Sequence, residues 1–171
     1  MKTKSKRLTL TALFAIIIAF FAWISVPTPF GVPVTLQVFG VALCGYTLGL
    51  KWGLACTATY IIMGAIGLPV FSFFGGGLGV LTSANGGFIF GFLLLSVFCS
   101  LNTLCKLNFL MPCIGVLLCH AVGVLQFSLV SGANAGGVFL TASLPFIFKD
   151  FALVIIAFYI RKRIRLEEIY D

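Results

Sequence analysis

Between Leu8 and Ile160 the chain carries four charged residues, Lys51, Lys106, Lys149 and Asp150. A water-soluble fold must cover its surface with polar groups, and soluble domains are roughly one-quarter charged. Here 9% of the residues are charged and 61% are hydrophobic. Lipid is the solvent that removes this conflict, so the sequence reads as an all-α integral membrane protein. Its 171 residues suit one compact membrane domain, 1–171, without room for a second.

Apolar stretches fall at about 8–26, 34–50, 52–68, 86–104, 109–130 and 145–160. Each approaches the roughly 20 residues that cross a hydrocarbon core as helix, although the second, third and sixth are short. Glycines and Lys51 interrupt the second and third, so five spans stay open beside six. Charge placement favours six. Both termini then lie on one side, with Lys51 and Lys106 in the connections of that side. The opposite connections, 27–33, 69–85 and 131–144, carry no charge. The positive-inside rule makes the basic side cytoplasmic and expects a multi-pass protein of the cell membrane.

The net charge of +7 does not point to nucleic acid. Lys2, Lys4, Lys6 and Arg7 sit at one terminus, and Arg161, Lys162, Arg163 and Arg165 near the other. That is the pattern of membrane anchors, not of a basic groove. Cys44, Cys56, Cys99, Cys105, Cys113 and Cys119 lie in or beside apolar runs without a CxxC pair, and read as small buried apolar residues. The N-terminal apolar run is longer than a signal core and lacks a small-x-small cleavage site, so it reads as a retained first span.

Two uncharged connections stand out. Pro27-Thr28-Pro29-Phe30-Gly31-Val32-Pro33 is a proline-rich turn with fixed backbone angles. Gly67-Leu68-Pro69-Val70-Phe71-Ser72-Phe73-Phe74-Gly75-Gly76-Gly77-Leu78-Gly79 is apolar and glycine-rich. It reads as a lid tucked into the bundle, or as a loop lying at the lipid headgroups.

Polar groups inside a membrane are costly and so informative. Asp150 stands alone as an acid before the C-terminal tail. It is either a capping acid aided by the helix dipole or a contact facing a solute cavity, and the second reading is favoured. Lys149 either snorkels or joins it; adjacent residues point about 100° apart on a helix, so the two are not automatically an ion pair. His120, with no titratable group nearby in sequence, reads as a neutral hydrogen-bonded histidine ahead of a proton relay. Thr35, Gln37, Tyr60, Asn85 and Gln126 would each need a partner if buried. Ala15 and Ala19 share a helix face that admits another helix closely, in a partner or in the same chain. No HExxH, GxSxG or GxxxxGK[ST] motif appears. Ser128 or Ser143 with His120 has no sequence context as a nucleophile pair, so the chain is not expected to be an enzyme or to bind ATP itself.

Four blocks carry a family resemblance: Val32-Pro33-Val34-Thr35-Leu36-Gln37, Gly64-Ala65-Ile66-Gly67-Leu68-Pro69-Val70-Phe71, Gly75-Gly76-Gly77-Leu78-Gly79-Val80-Leu81 and Gly86-Gly87-Phe88-Ile89-Phe90-Gly91-Phe92. Pro145-Phe146-Ile147 followed by Asp150 adds a fifth. In order and spacing they resemble the BioY family over roughly residues 10–160. The resemblance implies a six-helix, biotin-binding S component of an energy-coupling factor (ECF) transporter. Such a subunit works with a transmembrane coupling subunit and a cytoplasmic ATPase pair, and uses no cofactor. It implies a ligand site drawn from Asp150, Lys149, Asn85, Gln37, Thr35 and Gln126. Phe73, Phe74 or Tyr60 would pack on the fused rings, with Gly76 of the glycine block among the contacts. It also turns Ala15 and Ala19 toward the coupling subunit. The alternatives are an S component for another vitamin, a membrane scaffold, and a carrier working without ATPases. The chain departs from the family pattern Pro-Phe-x-Pro-Gly-Asp-x-x-Lys. Phe148-Lys149 replaces Pro-Gly, and Leu153 stands where the lysine is expected. Ala84-Asn85 replaces the usual Pro-Thr, and Phe88 the usual Tyr. The ligand carboxylate then has Lys149, hydroxyls, backbone N–H groups or water as candidate partners.

Overall fold

The computed structural model describes residues 2–105 and 110–163. Lys106 and Arg165, and the side chains of Lys2, Lys4 and Cys105, lie outside the described residues.

The described chain is a helical bundle. Helix α1 (Lys2–Trp23) leads into a two-residue antiparallel ribbon, β1 (Ser25–Val26) and β2 (Val34–Thr35). Ser25 pairs with Thr35 and Val26 with Val34. Prolines at 27, 29 and 33 remove backbone donors from this connection and keep it from continuing as helix. Helix α2 (Gln37–Ala65) follows, then a short 3-10 turn (Ser72–Phe74) and α3 (Leu78–Thr82). Helices α4 (Gly86–Cys105) and α5 (Leu110–Ser131) pack side by side. The short α6 (Ala135–Val138) and a π turn (Phe139–Ser143) lead into α7 (Leu144–Arg163).

Helix α2 is not one rod. Gly49 sits at φ 74°, ψ −178°, a left-handed conformation that glycine adopts without steric cost. The chain folds back there. A Cβ on Gly53 would lie 3.2 Å from the Gly45 Cα. Gln37 Nε2 donates to the Tyr60 hydroxyl over 2.6 Å, although 23 residues separate them. Residues 37–48 and 50–65 are therefore antiparallel limbs, and the break falls at the boundary between the second and third apolar stretches. Five helices are long and apolar enough to cross a membrane among the described residues, with α2 counted as one.

Helices α1, α5 and α7 expose Ile16, Phe20, Leu117, Leu125, Leu129 and Ile156 to the surroundings. Apolar side chains also fill the interior, so these helices are hydrophobic all round, the mark of a membrane span. Cys44, Cys56, Cys99 and Cys119 are free and buried, and Cys113 is free and half-buried.

One expectation changes here. The connection 131–144 is largely helical. Pro145 offers no N–H to the carbonyl four residues back, and the π turn lies just before it. Such turns recur where a helix must accommodate an irregularity. Ala15 and Ala19, read from spacing as a face for a close helix, are 0% and 3% exposed. They sit in the chain's own core with Val38, Val41 and Ala42 of α2; at neighbouring Ile18, a Cβ on Gly40 would come within 3.3 Å of the backbone.

Candidate ligand site

At the end of the bundle where residues 24–36, 66–85 and 132–143 connect, a cavity of about 250 Å³ opens between the helices. Val38, Val80, Phe88, Ile89, Phe92 and Phe146 form apolar walls. Polar groups converge from Thr35, Gln37, Asn85, His120, Lys149 and Asp150. An apolar cleft with a few fixed polar groups is the ordinary form of a small-molecule site.

The loop over the cavity is built in. Phe71 is buried and packs edge-to-face on Tyr60 at 5.5 Å, while Ser72 and Phe73 line the cavity. Phe73 and Phe74 sit at φ 57° and 58°, a conformation that costs non-glycine residues about 1–3 kcal/mol each. Contacts from the end of α1 offset this strain. The Trp23 indole N–H donates to the Pro69 carbonyl at 2.8 Å, and the Trp23 ring stacks on Phe74 with centroids 5.1 Å apart. The Phe73 N–H donates to Ser25 Oγ at 3.3 Å. Ser25 and Trp23 thus tie the loop to the first helix.

The charged wall comes from α7 and α5. Lys149 donates to Asp150 Oδ1 and, at 3.0 Å, to the Thr35 carbonyl. The two charges therefore do pair, because the long lysine stem reaches past the 100° offset. His120 Nε2 lies 3.0 Å from Asp150 Oδ2, and Ser143 Oγ lies 2.8 Å from His120 Nδ1. With the carboxylate ionised, the ring donates from Nε2 and accepts the Ser143 hydroxyl at Nδ1. Asp150 is thus held at both oxygens and is buried. Ser143 is fully buried and is not among the residues lining the cavity. Ser143, His120 and Asp150 hold the carboxylate in place; they do not present a nucleophile to a ligand.

Asn85 closes the opposite side. Its Nδ2 donates to the Gly31 carbonyl at 2.9 Å, which ties the proline-rich turn to the start of α4. Its Oδ1 is buried and has no hydrogen-bond partner among the described residues. A buried acceptor left open costs about 1–3 kcal/mol, so this atom is arranged for a donor. Gln37 is more committed. Its Oε1 accepts from Thr35 Oγ1 at 3.0 Å and Ser72 Oγ at 3.4 Å, and its Nε2 donates to Tyr60. One amide hydrogen remains for a ligand.

Thr35, Gln37, Phe73, Asn85, Lys149 and Asp150 of the expected set thus meet at one cavity. Four others do not line it. Tyr60 stands behind Gln37 and donates to the Val70 carbonyl at 3.2 Å. Phe74 points away and is 63% exposed. Gly76 packs so closely on the loop that a Cβ would lie 2.4 Å from the Leu68 carbonyl oxygen. Gln126 Nε2 spans the Leu81 and Ser83 carbonyls at 2.7 and 2.8 Å and pins α3. Ser143 was weighed beside His120 only as a nucleophile, and the His120–Asp150 contact escaped the sequence, since 30 residues separate that pair. The one available signal was a lone histidine in an apolar helix.

A model of the BioY family matches residues 1–168. The chain is 35% identical over 162 residues to "Probable biotin transporter BioY" of Pyrococcus horikoshii, covering 95% of this chain and 98% of that one. It is 48% identical over 89 residues to "Biotin transporter BioY" of Thermotoga maritima, a match that spans about half of that protein, 52%. Among solved structures, the S-component for biotin from an ECF-type ABC transporter superposes with a TM-score of 0.82 at 24% identity. That match covers 99% of this chain and 98% of the other. The likeness in structure establishes a shared fold. With the apolar helices, the transporter relatives make this an integral membrane protein.

Proposed function

The chain belongs to the BioY family, and on that premise we propose that it captures biotin for uptake as the substrate-binding subunit of an ECF-type transporter. One observation carries the reading at the level of chemistry. The cavity sets an open, buried acceptor, Asn85 Oδ1, and the Asp150 carboxylate among apolar walls, with Lys149 as its cation. Biotin offers the complement: two ureido N–H donors, an apolar fused ring and side chain, and a carboxylate. The ureido group is held by Asn85, Asp150 and the spare Gln37 hydrogen. The rings pack on Phe73 and Phe88, and Lys149 takes the carboxylate in place of the family's lysine, where Leu153 stands.

The subunit resides in the cell membrane as six spans with both termini cytoplasmic. The fold-back at Gly49 supports that arrangement by dividing α2 into two limbs, as do the charge-free connections at the cavity end. The cavity then faces outward. Energy comes from a coupling subunit and an ATPase pair supplied as other chains. Uptake of labelled biotin should require co-expression of those partners. Strong uptake in a host stripped of every ECF component would refute the assignment of the energy source. Competition by thiamine or riboflavin, with none by unlabelled biotin, would refute the substrate.

A further inference from the structure

Lys149 is committed twice, to Asp150 Oδ1 and to the Thr35 carbonyl. Under the biotin reading, on which this inference rests, both of its partners matter. Asp150 Oδ1 is the oxygen a ureido N–H would use, and the lysine ammonium is what the ligand carboxylate would use. The ureido ring and the carboxylate lie at opposite ends of biotin, so engaging both draws Lys149 away from Asp150. Charge bookkeeping in the buried site then becomes unfavourable. Lysine and aspartate together are neutral; a bound carboxylate leaves one negative charge without a counter-ion, and such charges are costly away from water.

His120 is placed to correct this. Its Nε2 already lies 3.0 Å from Asp150 Oδ2, the oxygen that Lys149 does not use. Its Nδ1 faces Ser143 Oγ at 2.8 Å. A serine hydroxyl donates to a neutral ring and accepts from a protonated one, so both states of the imidazole keep their hydrogen bonds. The described ionisable side chains that line the cavity with the ring are Asp150 and Lys149 from α7 and the Cys119 thiol from its own helix. From α4 the ring meets Phe88, and from the π turn it meets Ser143.

We propose that His120 is a positioning residue for biotin capture: it takes up a proton as the ligand binds, replaces Lys149 as the counter-ion of Asp150, and so releases Lys149 to the ligand carboxylate. The site would thereby bind carboxylic-acid ligands with a proton, and uncharged analogues without one.

The test is calorimetry on the full chain in detergent at about pH 7.5. Biotin and biotin methyl ester are each titrated in two buffers of different ionisation enthalpy. The expected result is close to one proton taken up per biotin and none per ester. His120→Gln should abolish the proton uptake that accompanies biotin binding. Equal proton uptake for acid and ester, or none for either, overturns the inference and leaves the biotin reading standing. This comparison in the wild-type protein decides the matter even if the variant fails to fold. Absence of any biotin binding overturns both.

Discussion

Asp150→Asn isolates the charge at the centre of the site. The amide keeps the shape of the carboxylate but replaces one acceptor with a donor. Both oxygens of Asp150 now accept, one from Lys149 and one facing His120 Nε2. An amide facing two donors leaves one of them without a partner. For the fold, the cost falls at the low end of the range for an unpaired charged group, about 1–2 kcal/mol. The Lys149 side chain is 27% exposed and keeps the Thr35 carbonyl. For a chain of this size that corresponds to a Tm lower by about 2–8 °C. For the ligand, a charge-assisted hydrogen bond is lost, worth about 1.5–3 kcal/mol. Kd should then rise about 10- to 150-fold. Calorimetric titration of biotin into the purified variant reads the affinity, and a thermal melt of the same sample separates it from unfolding. A Kd within about twofold of wild type in a folded variant would refute the role given to Asp150.

Asn85→Ala removes the open acceptor and its tie to Gly31, and should raise Kd about two- to tenfold, the value of one neutral hydrogen bond. Gly64→Ala would place a methyl group 2.0–2.5 Å from ring atoms of Phe71. Overpacking costs about 1–3 kcal/mol, so the melt should shift down and the loop should lose its seat over the cavity. Trp23→Ala cuts the bond to Pro69 and the stack on Phe74. It should speed dissociation of bound biotin, read by chase of the labelled ligand, more than it slows association. Gly49→Ala strains a left-handed turn at φ 74° by about 1–2 kcal/mol, which a thermal melt should register.

Much of the architecture was legible because lipid imposes simple rules. Apolar length and the positions of Lys51 and the terminal basic residues mark helices and their connections without knowledge of packing. Glycine-rich blocks and prolines mark where helix stops. The break in α2 was half-visible: Gly49 and Lys51 weakened the apolar run, but only the left-handed angle at Gly49 turns weakness into a reversal. The site was legible in part for a related reason. Asn85, Gln37 and Asp150 are polar residues in an apolar chain, and such residues need partners.

What the sequence hid is partnership across distance. His120 looked isolated because its neighbours in space, Asp150 and Ser143, are brought in by α7 and the π turn before Pro145. The same limit hid the partners of Tyr60, Phe74 and Gln126, whose residue types suit ligand contact and whose side chains go to Gln37, Trp23 and α3. The Ala15 and Ala19 face shows it again. Spacing says that a helix may approach closely, and only packing says that α2 already does.

On the function proposed above, this chain by itself holds biotin in the cavity between α2, α4, α5 and α7. Equilibrium binding of labelled biotin to the purified full chain, without any partner, tests it most directly. Saturable binding is expected at one site per chain, displaced by unlabelled biotin but not by thiamine or riboflavin, and severely weakened by Asp150→Ala. Absence of saturable binding by a folded preparation, or binding that Asp150→Ala leaves intact, would contradict it.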